Sequence, residues 1–224
     1  MADCIGIGLS EKDQTKYNNI IEDYYRIMKT LSNLREKFSR PSRPYIIHRD
    51  LFGYCLGLIE VLKGITRFYK EYGVNSIFEV MCGCGALRIL LHRFLTYYGR
   101  KYKCSDLYHE NDEYGTVISD LYDIFPDVPR PTRSSSTNTI KSISEPNSAV
   151  LISFAPYNKS DGADSLKAIL ENTNVNFVIS LHDRSCVANA EYYEILDTKF
   201  EVVKKYGLCY IALMEYEMVI YKKI

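Results

Sequence analysis

The sequence has no tryptophan, no net charge and no long apolar run. The missing tryptophan excludes no function class, but the other two absences narrow the field. Lys+Arg is 28 and Asp+Glu is 28, so no global basic field draws the chain to nucleic acid. A local basic patch stays open, because net charge averages over the whole surface. No stretch of about 18 uncharged apolar residues occurs, so nothing is expected to span a membrane. Met1-Ala2-Asp3-Cys4 lacks a basic segment followed by a long apolar one, so no signal peptide is expected. Cys-x-x-Cys pairs are absent too. The seven cysteines stand at 4, 55, 82, 84, 104, 186 and 209, a spacing that builds no four-ligand zinc site. Cys82 and Cys84 would need two more ligands nearby, so no metal is expected. Several cysteines lie in apolar runs, where a reduced thiol behaves as a small hydrophobe. A reducing, intracellular compartment follows.

What is present reads as a globular protein. The 224 residues suit one large domain, or one domain with an appendage. A chain this long buries roughly 70% of its unfolded surface, so the core needs neither disulfide nor metal. Apolar positions at three- and four-residue steps predict a helix from Ser10 to about Phe38, including Ile20, Tyr24, Ile27, Leu31 and Leu34. Arg40-Pro41-Ser42-Arg43-Pro44 breaks it. Asp50 can cap a second helix, with Leu51, Tyr54, Leu58, Val61, Leu62, Ile65 and Phe68 on its apolar face and Gly73 at its end.

From Asn75 the texture changes to short apolar runs alternating with helical stretches. Strands are predicted at 76–81, 101–105, 148–154 and 175–181. Helices are predicted at 86–98, near 113–125, at 164–172 and at 190–198. The Ser/Thr-rich stretch Thr132–Thr139 can hold a strand, although a surface loop is the simpler expectation. Residues 200–224, rich in Val, Ile and Tyr, read as two or three antiparallel strands. This rhythm predicts an α/β fold: a Rossmann-like, mostly parallel sheet with helices on both faces and a C-terminal antiparallel hairpin. Residues 1–74 form a helical extension before it.

In open α/β sheets, ligands bind beyond the carboxyl ends of the strands. The first strand runs into Glu79-Val80-Met81-Cys82-Gly83-Cys84-Gly85 and then directly into a helix. Two glycines one residue apart permit a tight turn and close approach of a ligand to the backbone, and the helix start offers unpaired N–H groups. Asp106 follows the second strand, 23 residues beyond Gly83. An acid about 20 residues past a glycine turn can accept hydrogen bonds from ribose hydroxyls. The two signals together point to a bound nucleoside. Ala155-Pro156-Tyr157-Asn158 follows the strand at 148–154.

These three segments, in this order and spacing, resemble the class I S-adenosylmethionine-dependent methyltransferases. Glu79 to Gly85 is similar to their Asp/Glu-x-Gly-x-Gly-x-Gly motif, with Met81 at the first glycine. Phe154-Ala155-Pro156-Tyr157 is similar to the Asn/Asp/Ser-Pro-Pro-Tyr/Phe motif of the branch that methylates amino nitrogens, with Phe154 and Ala155 as departures. The resemblance covers about residues 75–224. It implies S-adenosylmethionine as cofactor, held by Glu79, Met81, Cys82, Gly83, Gly85 and Asp106. Glu79 would help hold the methionine end, and Asp106 the ribose. Phe154, Ala155, Pro156 and Tyr157 would form the catalytic wall where the acceptor lies, Tyr157 stacking on a planar group. The implied acceptor is an amino nitrogen of a nucleic acid base or a protein side chain. The departures equally suit an inactive member that keeps the fold as a binding or scaffolding subunit beside a partner subunit. A nicotinamide-dependent oxidoreductase shares the strand–glycine–helix start, but the third glycine it needs is missing around Leu87 and Arg88.

Two further groups carry chemistry. His182-Asp183-Arg184 follows the strand at 175–181, where an acid–base group and an ordinary polar loop are both open. Arg35, Lys37, Arg40, Arg43, His48 and Arg49 form the densest basic stretch, which reads as solvated helix-end charges or as a grip on a phosphate backbone.

Overall fold

The computed structural model describes residues 58–83, 85–96, 101–107, 113–153, 155–156, 159–182, 184, 188–211 and 214–224, with scattered residues between Thr15 and Asn33. The basic stretch at 35–49 lies outside these. The scattered N-terminal residues are helical, and Ile27 among them is fully buried.

Seven strands form one sheet in the order β3-β2-β1-β4-β5-β7-β6. They are β1 (Ser76–Val80), β2 (Lys101–Asp106), β3 (Thr132–Arg133), β4 (Ser148–Ser153), β5 (Val175–His182), β6 (Phe200–Ile211) and β7 (Met214–Lys223). The first five run parallel. β7 is antiparallel to β5, and β6 to β7. Strands β1 and β4 are buried along their whole length, as in a parallel sheet covered on both faces.

Helices α1 (Leu58–Tyr72), α2 (Ala86–Thr96) and α3 (Glu113–Ile124) cover one face, and α4 (Ser136–Lys141), α5 (Asp161–Glu171) and α6 (Ala190–Lys199) the other. On the first face Val61, Ile65, Phe68, Leu87, Leu90, Ile118 and Leu121 pack against Ile77, Leu151, Phe177 and Ile179. Phe68 meets Phe177 edge-on, with ring centroids 5.1 Å apart, a pair whose truncation to alanine costs about 3–5 kcal/mol per ring. On the second face Ile140, Leu166, Ile169, Tyr192 and Leu196 pack against Phe78, Val150, Ile152 and Val178.

Helix α1 precedes residue 75 yet is built into the first core. Gly73 ends it at φ 60°. Asn147 Nδ2 then donates to the Tyr72 and Gly73 carbonyls at 3.3 and 3.0 Å, satisfying groups that a helix end leaves open. The Tyr69 hydroxyl donates to the Lys101 carbonyl at 2.8 Å, anchoring the helix to β2.

Two expectations need correction. The Ser/Thr stretch is no plain loop: it holds β3 and then α4, which Ser135 caps by accepting from the Asn138 N–H at 3.2 Å. Residues 200–224 make the expected antiparallel hairpin, with two strands. Helix α5 begins at Asp161, three residues earlier than its apolar period suggests. Among the described residues, no helix is long and apolar enough to cross a membrane.

Candidate functional site

Strand β1 stops at Val80 because Met81 turns to φ 56°. Gly83 and Gly85 follow at φ 56° and 72°. Every second residue of this loop is therefore left-handed. That conformation is nearly free for glycine and costs a side-chain-bearing residue about 1–2 kcal/mol. Met81 adopts a torsion that glycine takes most easily, and the strain of the loop is borne there.

The two glycines differ. A Cβ on Gly83 would meet nothing within 4 Å, so this peptide faces open space. A Cβ on Gly85 would lie 2.6 Å from the Tyr122 hydroxyl and 2.8 Å from Pro131 Cγ. At Gly85 the close approach is made by the protein's own side chains. The Tyr122 hydroxyl also donates to the Gly85 carbonyl at 3.1 Å. Gly83 is thus the position where the backbone is open to a ligand, and Gly85 the position where the loop is clamped to α3.

Asp106 closes the loop from the next strand. Its Oδ2 accepts the Gly83 N–H at 2.6 Å, and the Cys82 N–H donates to the Ser105 carbonyl at 3.2 Å. Partial burial raises the Asp106 pKa, the Gly83 and Leu107 N–H groups counter that, and the Asp161 charge adds to it. A carboxylate has about four lone-pair sites, so one bond to Gly83 leaves capacity for hydroxyl donors. The Ser134 N–H donates to the Asp106 carbonyl at 3.1 Å, and Thr139 Oγ1 to Ser105 Oγ at 2.8 Å. The loop from β3 to α4 is thereby drawn onto the same rim. Sequence reasoning did not connect Ser134, Thr139, Tyr122 or Pro131 with this rim. All four are distant in sequence and carry no motif.

Glu79 lies beneath the loop and is almost wholly buried. The Tyr102 hydroxyl donates to its Oε2 at 2.7 Å. Burial pushes its pKa up to about 7, against the pull of the Tyr102 hydrogen bond and the Arg88 charge. Arg88 is itself buried and donates to the Cys104 carbonyl and Sγ at 3.5 and 3.2 Å. Cys82 is buried beside Cys104, and burial raises its thiol pKa well above the ordinary value. It is a packing residue with no activated thiolate.

Beyond β4, Phe154 and Tyr157 lie outside the described residues, as do Cys84, Asn158 and Asp183. Ala155 is buried and Pro156 half-buried. The Ala155 carbonyl accepts the Ala188 N–H at 2.8 Å, and Ala188 sits at φ 59°. A Cβ on Gly162, in the first turn of α5, would be 2.8 Å from Ala155 Cβ and 3.1 Å from the Tyr192 ring. The small residue at 155 therefore matches the small residue facing it. Among the described residues, no group of three or more His, Cys, Asp or Glu side chains is placed to hold a metal.

No family model matches the chain, and no curated protein matches it. Solved structures do. The magnesium protoporphyrin IX methyltransferase from Synechocystis PCC 6803, a structure with bound S-adenosylmethionine, superposes with TM-score 0.55 at 11% identity, covering 97% of this chain and 99% of that one. The N-methyltransferase NodS from Bradyrhizobium japonicum gives 0.51 at 10% identity, over 74% of this chain and 95% of that one. The chain has the Rossmann-like methyltransferase fold. TrmN from Thermus thermophilus gives 0.50 at 10% identity, over 73% of this chain and 48% of that one. In the methyltransferase fold of this chain, the Gly83–Asp106 contact and the Ala155–Ala188 contact occupy the carboxyl rim of β1, β2, β4 and β5.

Proposed function

We propose that the chain is an S-adenosylmethionine-dependent methyltransferase acting on an amino nitrogen of a nucleic acid base or a protein side chain. The observation that carries this is the 2.6 Å bond from the Gly83 N–H to Asp106 Oδ2, joining an open, left-handed backbone turn to a carboxylate at one rim of a parallel sheet. Backbone N–H groups, a bare Cα and an acid with spare lone pairs fit a nucleoside bearing ribose hydroxyls. The bound cofactor would supply an electrophilic methyl group on a sulfonium. The residues of the chain then need only align the acceptor with that carbon and exclude water. Asp106 would take the ribose hydroxyls. Gly83 would let the turn approach the cofactor, with Met81 and Cys82 in the same turn. Glu79, held by Tyr102, would steady the loop from below. Phe154, Ala155, Pro156 and Tyr157 would line the acceptor wall.

The inactive, scaffolding alternative is favoured by one observation. The Ala155 carbonyl, a natural acceptor for an incoming amine, already receives the Ala188 N–H. A carbonyl oxygen has two lone pairs, so one stays available to orient an amine.

Calorimetry with S-adenosylmethionine and S-adenosylhomocysteine tests the reading. Binding is expected, with Asp106→Ala weakening it about 10- to 100-fold, the loss of one or two charge-assisted hydrogen bonds. Absence of heat at millimolar ligand would overturn it. Lowering the pH should weaken binding at a higher pH than an ordinary aspartate would, because the raised Asp106 takes up its proton early and loses acceptor sites.

A further inference from the structure

Glu79 is a buried carboxyl without a counter-ion. Along β1, Phe78 and Val80 enter one core and Ile77 the other, so Glu79 shares the α2 face of the sheet with Ile77. The groups around it come from every neighbouring element. Tyr102, Cys104 and Asp106 belong to β2, Cys82 to the turn, Arg88 to α2 and Ser153 to β4. Arg88 is the cation among them, with Tyr122 of α3 beside it. It turns Nη1 to the Cys104 carbonyl and sulfur rather than to the carboxyl. Glu79 is left with the Tyr102 hydroxyl at 2.7 Å. Ser153 Oγ is buried with no other partner among the described residues, so it can accept the proton of a neutral Glu79. A carboxylate so placed is costly when charged and holds its proton.

Charge at the turn reaches Glu79 without contact. The Asp106 carboxylate, which accepts the Gly83 N–H, already favours the protonated form of Glu79 from the neighbouring strand. A cation resting on the same turn acts in the opposite sense and favours the ionised form, because charges inside a protein are weakly screened. S-adenosylmethionine carries one positive charge more than S-adenosylhomocysteine, on its sulfur.

We propose that the proton on Glu79 is linked to the charge of the ligand: it leaves when the sulfonium cofactor settles on the Gly83 turn and stays when the demethylated product sits there. This rests on the methyltransferase reading and adds to it a means of telling cofactor from product by charge rather than by shape. The preference for the cofactor grows as pH rises toward neutral. Tyr102 is a positioning residue in this linkage, since its hydroxyl favours the ionised carboxyl.

Calorimetry of the full-length chain in two buffers of different ionisation enthalpy counts the protons exchanged with each ligand. At pH 6.5 the amino group of both ligands is charged, and a carboxyl with its pKa at about 7 is roughly three quarters protonated. S-adenosylmethionine should release about half a proton more than S-adenosylhomocysteine. The ratio of the two affinities should move about tenfold toward S-adenosylmethionine between pH 5.5 and pH 7. Asp106 would meet the ribose of both ligands, so its titration cancels in the ratio. Glu79→Gln, which can still accept from Tyr102, should erase both the extra proton and the drift. Tyr102→Phe should move the drift to higher pH. Equal proton counts, a ratio independent of pH, or an extra proton that persists in Glu79→Gln would overturn the proposal and leave the methyltransferase reading standing. Binding of neither ligand would overturn that reading and the linkage with it.

Discussion

The two halves of the carboxyl rim are built by different means. Around β1 and β2 the structure relies on backbone: left-handed torsions at 81, 83 and 85, and an N–H delivered to Asp106. Around β4 and β5 it relies on small side chains and a buried polar chain: Ala155 against Gly162, Ala188 bonded to Ala155, and Tyr192, Ser180 and His182 in series. The comparison teaches what each half tolerates. A backbone-built site tolerates a side chain where there is room for it, as at Met81, provided the torsion is kept. A site built from close-packed side chains does not.

Substitutions can break or sharpen this contrast. The largest effect is expected at Gly85. Gly85→Ala combines a left-handed torsion with a Cβ 2.6 Å from the Tyr122 hydroxyl, and should cost about 3–4 kcal/mol in urea unfolding. Gly83→Ala carries the torsion without the clash and should cost about 1 kcal/mol. Equal losses would erase the distinction between the clamped and the open glycine.

Glu79→Gln should remove a pH dependence. The folded carboxyl has its pKa raised from 4.5 to about 7, so between these values the folded state holds the extra proton. Stability is complete below the lower value and is lost as pH rises through the upper one, by on the order of 3 kcal/mol. The parent should therefore melt lower at pH 8.5 than at pH 5.5, and Glu79→Gln should flatten the difference. A parent whose melting temperature rises over that range would contradict the buried, neutral Glu79.

On the β4 side of the rim, Gly162→Ala should cost about 1–3 kcal/mol by pressing on Ala155 and Tyr192. The smallest change is a gain: Met81→Gly should stabilise by about 1 kcal/mol by relieving the left-handed methionine, with cofactor affinity preserved.

The fold was legible because β1, β4 and β5 are short, mostly apolar runs between helical stretches, and α2 keeps a clean helical period. The strand–glycine–helix start and Asp106 were legible because their spacing along the chain reports the distance between neighbouring parallel strands. β3 was legible only as an alternative to a loop, since Thr132–Arg133 pairs through two residues and contains no apolar side chain. The start of α5 was missed because Asp161 and Gly162 look like a loop, although Gly162 is buried and packed. Tyr102 and Tyr122, which hold Glu79 and Gly85, were invisible among many tyrosines. His182 was noticed for its place after β5. Tyr192, joined to it only through Ser180, lies ten residues on in another element, and no local pattern announces it.

The hydrogen bond from Ala188 to Ala155 yokes the loop after β4 to the loop after β5. A substitution that shifts the backbone at either alanine therefore strains both ends of the bond, and the left-handed Ala188 leaves little room to absorb it.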